Sequence, residues 1–185
     1  MILLAVVMFG VFESALMTLM PIWGVRSGLT QRLAAATVSA VYFGAILLQV
    51  PVGWVSDRAS RSVALRLCAV TGFAGALALL YVPAWPPVLF ALLLVWGGIA
   101  SGIYPIALSM AGDRFRGSEL VSANAAMITA YGLGALLGPP LGGAAMDIRN
   151  PQGLPWLFVA LFAALLLTQS LRQREGANRA GVAKS

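Results

Sequence analysis

The chain has 185 residues, 60% of them hydrophobic and only 10% charged, with twelve Lys/Arg against six Asp/Glu. A water-soluble domain needs about 25% charged residues to clothe its surface, so this balance excludes an ordinary soluble fold. The basic excess falls in short clusters between apolar runs and on the tail, without a contiguous basic face, which excludes a nucleic-acid partner.

A helix needs about 20 mostly apolar residues to cross a ~30 Å hydrocarbon core, with every backbone polar group bonded inside the segment. By that measure the sequence predicts an all-α integral membrane protein of six transmembrane helices, at about residues 2–23, 33–55, 62–82, 88–111, 120–146 and 154–171. The first is interrupted only by Glu13; it lacks a positive n-region and an A-x-A site, so it reads as a retained helix and not a signal peptide. The second carries Tyr42 and Gln49 and ends in Gly53-Trp-Val-Ser-Asp57-Arg58. From Leu67 to Gly112 there is no charge at all, too long a run for one crossing, and Pro83-Ala-Trp-Pro-Pro87 divides it into the third and fourth spans at a tight turn. The fourth holds Gly98, Gly102 and Tyr104 beside Pro105, and the fifth holds Asn124, Tyr131 and a glycine-proline run. After the sixth, residues 172–185 form a polar, basic tail, expected to be disordered.

An even number of crossings puts both termini on one side. That side receives nine of the twelve basic residues, against Arg26, Arg32 and Arg149 on the other, so the positive-inside rule places both termini in the cytoplasm. Trp23, Trp85 and Trp156 are then expected at the outer interface, where indoles favour the headgroup level. Gly53…Asp57 returns ninety residues later as Gly143…Asp147, at the end of the fifth span and on the opposite face. An inverted three-plus-three repeat produces that arrangement. Cys68 is the only cysteine and there is no histidine, so no internal disulfide, Cys/His metal centre or His-based triad can form; neither a metal nor a cofactor is expected.

Gly53-Trp-Val-Ser-Asp57-Arg58-Ala-Ser-Arg61 closely resembles the loop motif G-x-x-x-D-R-x-x-R of major facilitator superfamily transporters, between the second and third helices of a half. Gly53 would let a neighbouring helix approach, and Asp57, Arg58 and Arg61 would form charge-assisted bonds at the membrane surface. The resemblance implies that this loop helps set the balance between inward- and outward-facing states. Read without it, the same residues are a helix end with positive-inside arginines. Gly132-Leu-Gly134-Ala-Leu-Leu-Gly138-Pro139-Pro140-Leu-Gly142-Gly143 is similar to the family's glycine/proline-rich helix motif. Gly134, Gly138 and Gly142 recur every four residues as a smooth packing face, and Pro139 and Pro140 predict a bend.

Glu13 is the sole acid well inside a span. A mid-membrane carboxylate is costly, so it either serves proton coupling or cation binding in a central cavity, or is a neutral acid hydrogen-bonded between helices. Tyr104, Gln49, Asn124 and Tyr131 are further proton or substrate candidates, each also explicable as a polar group satisfying a neighbouring backbone. The resemblance covers nearly the whole chain and implies half of a secondary active transporter that works by alternating access on a small solute, driven by a proton gradient in symport or antiport, in a bacterial inner membrane. The tail fits a C-terminal half. Six helices cannot enclose a cavity, so the expected partner in the lipid bilayer is a second six-helix half, from the same chain upstream, a homodimer or another protein. The alternative is a non-transporting membrane subunit within a larger complex; an enzyme is not expected, since no paired carboxylates or Ser/Lys pair appear.

Overall fold

The computed structural model describes the backbone of residues 2–82 and 85–182, and the side chains of residues 2–82 and 85–171. Among the described residues seven helices make six spans: α1 (Ile2–Arg26), α2 (Gln31–Arg58), α3 (Arg61–Tyr81), α4 (Pro86–Ala100) continued by α5 (Ile103–Arg114), α6 (Gly117–Ile148) and α7 (Gly153–Val182). Pro83 and Ala84 of the expected turn lie outside the described residues. Beyond it, Trp85 caps α4 and Pro86 and Pro87 occupy the first turn, where a missing N–H leaves no helical bond unmade. The α7 backbone stays helical past Leu171 to Val182, where the polar tail had been expected to disorder. Extending an existing helix adds one bond per residue fixed and avoids the cost of nucleation. Residues 183–185 of that tail lie outside the described residues.

Connections are short. Gly28, at φ +95°, closes α1 in the left-handed conformation that glycine adopts without penalty, and Leu29 N–H returns to Gly24 O at 3.0 Å. Only Ala59 and Ser60 separate α2 from α3, and Ser60 Oγ accepts from Val63 N–H at 3.2 Å. The fourth span breaks at Ser101-Gly102 because Pro105 lacks the N–H that would bond Ser101 O. The chain tightens there, with Gly102 N–H reaching Ile99 O at 3.1 Å, before the helix resumes.

The most extensive contacts pair α1 with α6, α2 with α4, and α3 with α7. Exchanging the first three spans for the last three converts the first pair into the second and leaves the third unchanged. The ninety-residue echo therefore extends beyond the loop residues. Gly44 and Gly134 are both buried where a helix crosses backbone to backbone; Gly53 and Gly143 both face open space; Asp57 and Asp147 both close a helix. This is an inverted repeat in packing as well as in sequence.

The core lies where α1, α4 and α7 meet. Phe12 packs edge-on against Trp96, Phe158 and Phe162 with ring centroids 5.0–5.5 Å apart, and Trp96 donates to Gly72 O at 2.8 Å. Gly72 and Gly75 make room for Phe162 and Trp96. Trp23 is 2% exposed, packed inside the bundle because about half of α1 is buried. Trp85 and Trp156 remain exposed.

Candidate functional site

Glu13 sits midway along α1, and the second, fourth and fifth spans approach it there. Tyr131 of α6 donates its hydroxyl to Glu13 Oε2 at 2.8 Å. Tyr104 of α5 meets Tyr131 edge-on with centroids 5.5 Å apart and stacks on Phe9 at 6.2 Å. A void of about 20 Å³, room for one water, is lined by Glu13, Tyr42 of α2 and Ser101 at the break between α4 and α5. The carboxyl is thus bonded between α1 and α6 and also borders a small void whose other walls are mostly apolar. Gln49 lies two turns along α2 from Tyr42, on the same groove, whereas Asn124 lies about 10 Å before Tyr131 along α6 and does not join the cluster; its Oδ1 is buried without a partner.

The residue after Glu13 was missed. Pro139 cannot bond Ala135 O, and Ser14 Oγ supplies that carbonyl with a donor at 2.6 Å from across the helix pair. The signal was available: a proline in mid-span frees the carbonyl four residues earlier, which needs a donor in hydrocarbon. Ser14→Ala is expected to lower stability by about 1 kcal/mol, read as a fall of a few degrees in the unfolding temperature in detergent. An unchanged transition would mean that Ala135 O has another donor.

Gly134, Gly138 and Gly142 lie buried against α1. A Cβ on Gly134 would overlap Val7 O, and one on Gly138 would stand 2.6 Å from Val11 O and 2.9 Å from Ala15 N. Gly10 reciprocates from α1, where a Cβ would stand 2.5 Å from Tyr131 O, a small residue that its isolated position in the first span did not single out. Backbone contact at this range holds Tyr131 against Glu13. Pro140 similarly deprives Leu136 O of its helical donor, on a face where Leu136 is 73% exposed.

The second constellation is at the loop. Arg61, at the first turn of α3, bonds Asp57 Oδ1 across the two-residue turn at 2.5 Å, Ser56 Oγ at 3.1 Å and Asp113 Oδ2 of α5 at 3.3 Å. One guanidinium therefore ties together the ends of three spans. Asp113 was not foreseen, as only its place at the end of the fourth span pointed to it. Arg58 takes no part: it belongs to the last turn of α2, four residues from Trp54, and lies 4.3 Å over that ring. Gly53 also differs from expectation, since a Cβ there would meet nothing within 4 Å. No described helix makes the close approach invoked for it; Gly53 instead borders a cavity of about 450 Å³ between α2 and α4–α5.

Residues 2–184 match the family model described as Major Facilitator Superfamily. The chain belongs to the Major Facilitator Superfamily. With six helices long and apolar enough to cross a bilayer, this superfamily member is a multi-pass membrane protein. It is 29% identical over 165 residues to an uncharacterized MFS-type transporter of Enterobacter sp. (strain 638), covering 89% of this chain and 42% of that protein. Uncharacterized MFS-type transporters of Salmonella paratyphi B (YcaD) and Yersinia pseudotuberculosis serotype O:3 are each 29% identical over 164 residues, covering 41% and 42% of those proteins. The chain thus spans about two fifths of the length of the curated relatives it matches. No solved structure matches it.

Within this superfamily member the Arg61 cluster is the readiest handle on conformation. Arg61→Gln removes both ion pairs and is expected to lengthen the distance between spin labels at Ala59→Cys and Gly112→Cys, in a background lacking Cys68, by several Å in part of the population. Asp113→Asn, which weakens only the longer contact, should shift less of it. Identical distance distributions in all three proteins would show that the cluster does not hold α3 to α5.

Proposed function

We propose that the chain is one half of a secondary active transporter that moves a small solute by alternating access, coupled to protons through Glu13. The observation that carries this reading is the placement of Glu13: the one acid in mid-membrane, bonded to Tyr131 and bordered by Tyr42 and Ser101, where spans one, two, four and five meet. A carboxyl that is held by a hydrogen bond and adjoins a void large enough for a water can exchange its proton as the helices around it shift. Its hydrogen-bond partner lies on α6, next to the bend at Pro139-Pro140, so movement of α6 against α1 alters the surroundings of the acid.

A second six-helix half, from the same polypeptide, a second copy or a partner protein, completes the cavity. The open faces of α2 and α6 support this: Ile46 and Val50 of α2 are 69% and 78% exposed, and Leu133 and Leu136 of α6 are 56% and 73% exposed. The relatives are more than twice as long, and their printed descriptions are of MFS-type transporters. The positive-inside count supports a cytoplasmic position for the Arg61 face, and the proposed membrane is a bacterial inner membrane.

The test is solute-driven proton movement. Proteoliposomes holding a luminal pH dye are challenged with a panel of neutral, anionic and cationic solutes. At least one is expected to change luminal pH in protein-containing vesicles and not in empty ones. Uptake of a labelled solute without any proton movement, at every pH tested, would contradict the coupling.

A further inference from the structure

We infer that the groove between α2 and α4–α5 is a water-filled half-channel that carries protons between Glu13 and the Arg61 face, with the Arg61 cluster standing at its mouth. The inference rests on the reading of Glu13 given above and joins two sites that the sequence presents as separate. The small void at Glu13 and the cavity of about 450 Å³ share Tyr42, Ala45 and Ser101 as walls. From Tyr42 the larger cavity follows α2 past Gln49 to Ser56 and Asp57, about 21 Å at 1.5 Å per residue, and ends on Arg61. It therefore leads from mid-membrane to the surface.

Its wall sets polar groups among apolar ones: Tyr42, Gln49 and Ser56 lie along α2, with Asp57 and Arg61 at the end, while the Ser101 and Ser109 hydroxyls bond to carbonyls of their own span. In hydrocarbon the Gln49 amide and the charged groups at the end would cost free energy, whereas water solvates them and conducts protons along hydrogen bonds. Glycines keep the passage open: nothing lies within 4 Å of a Cβ on Gly53, and Gly102 leaves room for Val52. This also gives Gly53 a purpose in the described chain, where no helix packs on it. At the inner end the titratable groups around Glu13 are Tyr42 on α2, Tyr104 on α5 and Tyr131 on α6. α4 and α7 bring Trp96, Phe158 and Phe162 to the adjoining aromatic cluster, and no Lys or Arg lies in the interior of these spans. At the mouth Arg61, Asp57 and Asp113 are the charged groups.

The experiment places single cysteines in the full chain after Cys68→Ala, since Cys68 is the only native thiol. Ser101→Cys marks the deep end, Gln49→Cys the middle, and Val70→Cys, 47% exposed on the outer side of α3, the lipid-facing control. A membrane-impermeant cationic thiosulfonate is added to proteoliposomes. Ser101→Cys and Gln49→Cys are expected to react at least tenfold faster than Val70→Cys, and Gly53→Leu, which has space for its side chain, to slow Ser101→Cys about tenfold. Ser101→Cys reacting no faster than Val70→Cys, or unaffected by Gly53→Leu, overturns the half-channel. If Glu13→Gln still abolishes proton-driven uptake in that case, the reading of Glu13 stands and the groove alone is wrong. A reactive, Gly53→Leu-sensitive Ser101→Cys beside a Glu13→Gln protein with unaltered proton-driven uptake would sink the Glu13 reading and leave a water-filled groove that does not serve it.

Discussion

Gly134→Leu is expected to destabilise the protein by about 3 kcal/mol or more, lowering its unfolding temperature in detergent by roughly 10 °C. The reason is the identity of what the new side chain meets. A Cβ at this position would overlap Val7 O and would approach Val7 C at 3.0 Å and Val11 N at 3.1 Å, all backbone atoms of α1. No rotamer change can move them, so α1 and α6 must separate along the most extensive contact in the fold. Separation also withdraws Tyr131 from Glu13 and Ser14 from Ala135, two interhelical hydrogen bonds within one turn of the substitution. The control lies two residues away. Gly132 has nothing within 4 Å of a Cβ, and Gly132→Leu should leave the transition nearly unchanged. Equal losses for the two variants would show that glycine acts here through the helix backbone and not through packing.

Six spans were legible in the sequence because hydrophobic length is a one-dimensional property, and Pro83-Ala-Trp-Pro-Pro87 marked the single ambiguous run. The inverted repeat was legible only at Gly53 and Asp57. Its deeper correspondence, Gly44 with Gly134, emerges when each is seen against the backbone of its partner helix. The partners across helices were not readable, since each depends on which spans adjoin. Arg61 finds Asp113 on α5, Tyr131 finds Glu13 on α1, and Arg58 turns to Trp54 on its own helix. Pairing by distance in the fold leaves no trace in local spacing. Ser14 is the exception: Pro139 announces a carbonyl in need, and only the choice of donor required the structure. Asn124 shows the converse limit, because a polar residue in a span is noticeable in sequence whether or not it reaches the site.

Glu13→Gln carries the largest functional expectation. Glutamine keeps the size of the side chain and an acceptor oxygen for the Tyr131 hydroxyl, so the contact between α1 and α6 can persist and the fold with it. What it removes is the exchangeable proton. Tyr131→Phe does the opposite: it keeps the acid and deletes its anchor, so coupling should weaken and proton-driven uptake should fall several-fold without vanishing. The decisive measurement is therefore uptake of a transported solute by proteoliposomes of the wild type and Glu13→Gln, with an imposed pH gradient and then in solute-for-solute exchange without one. The gradient-driven rate of Glu13→Gln is expected to fall at least tenfold to the level seen without a gradient, while exchange continues. A Glu13→Gln protein that retains the wild-type response to the gradient would contradict Glu13 as the coupling group.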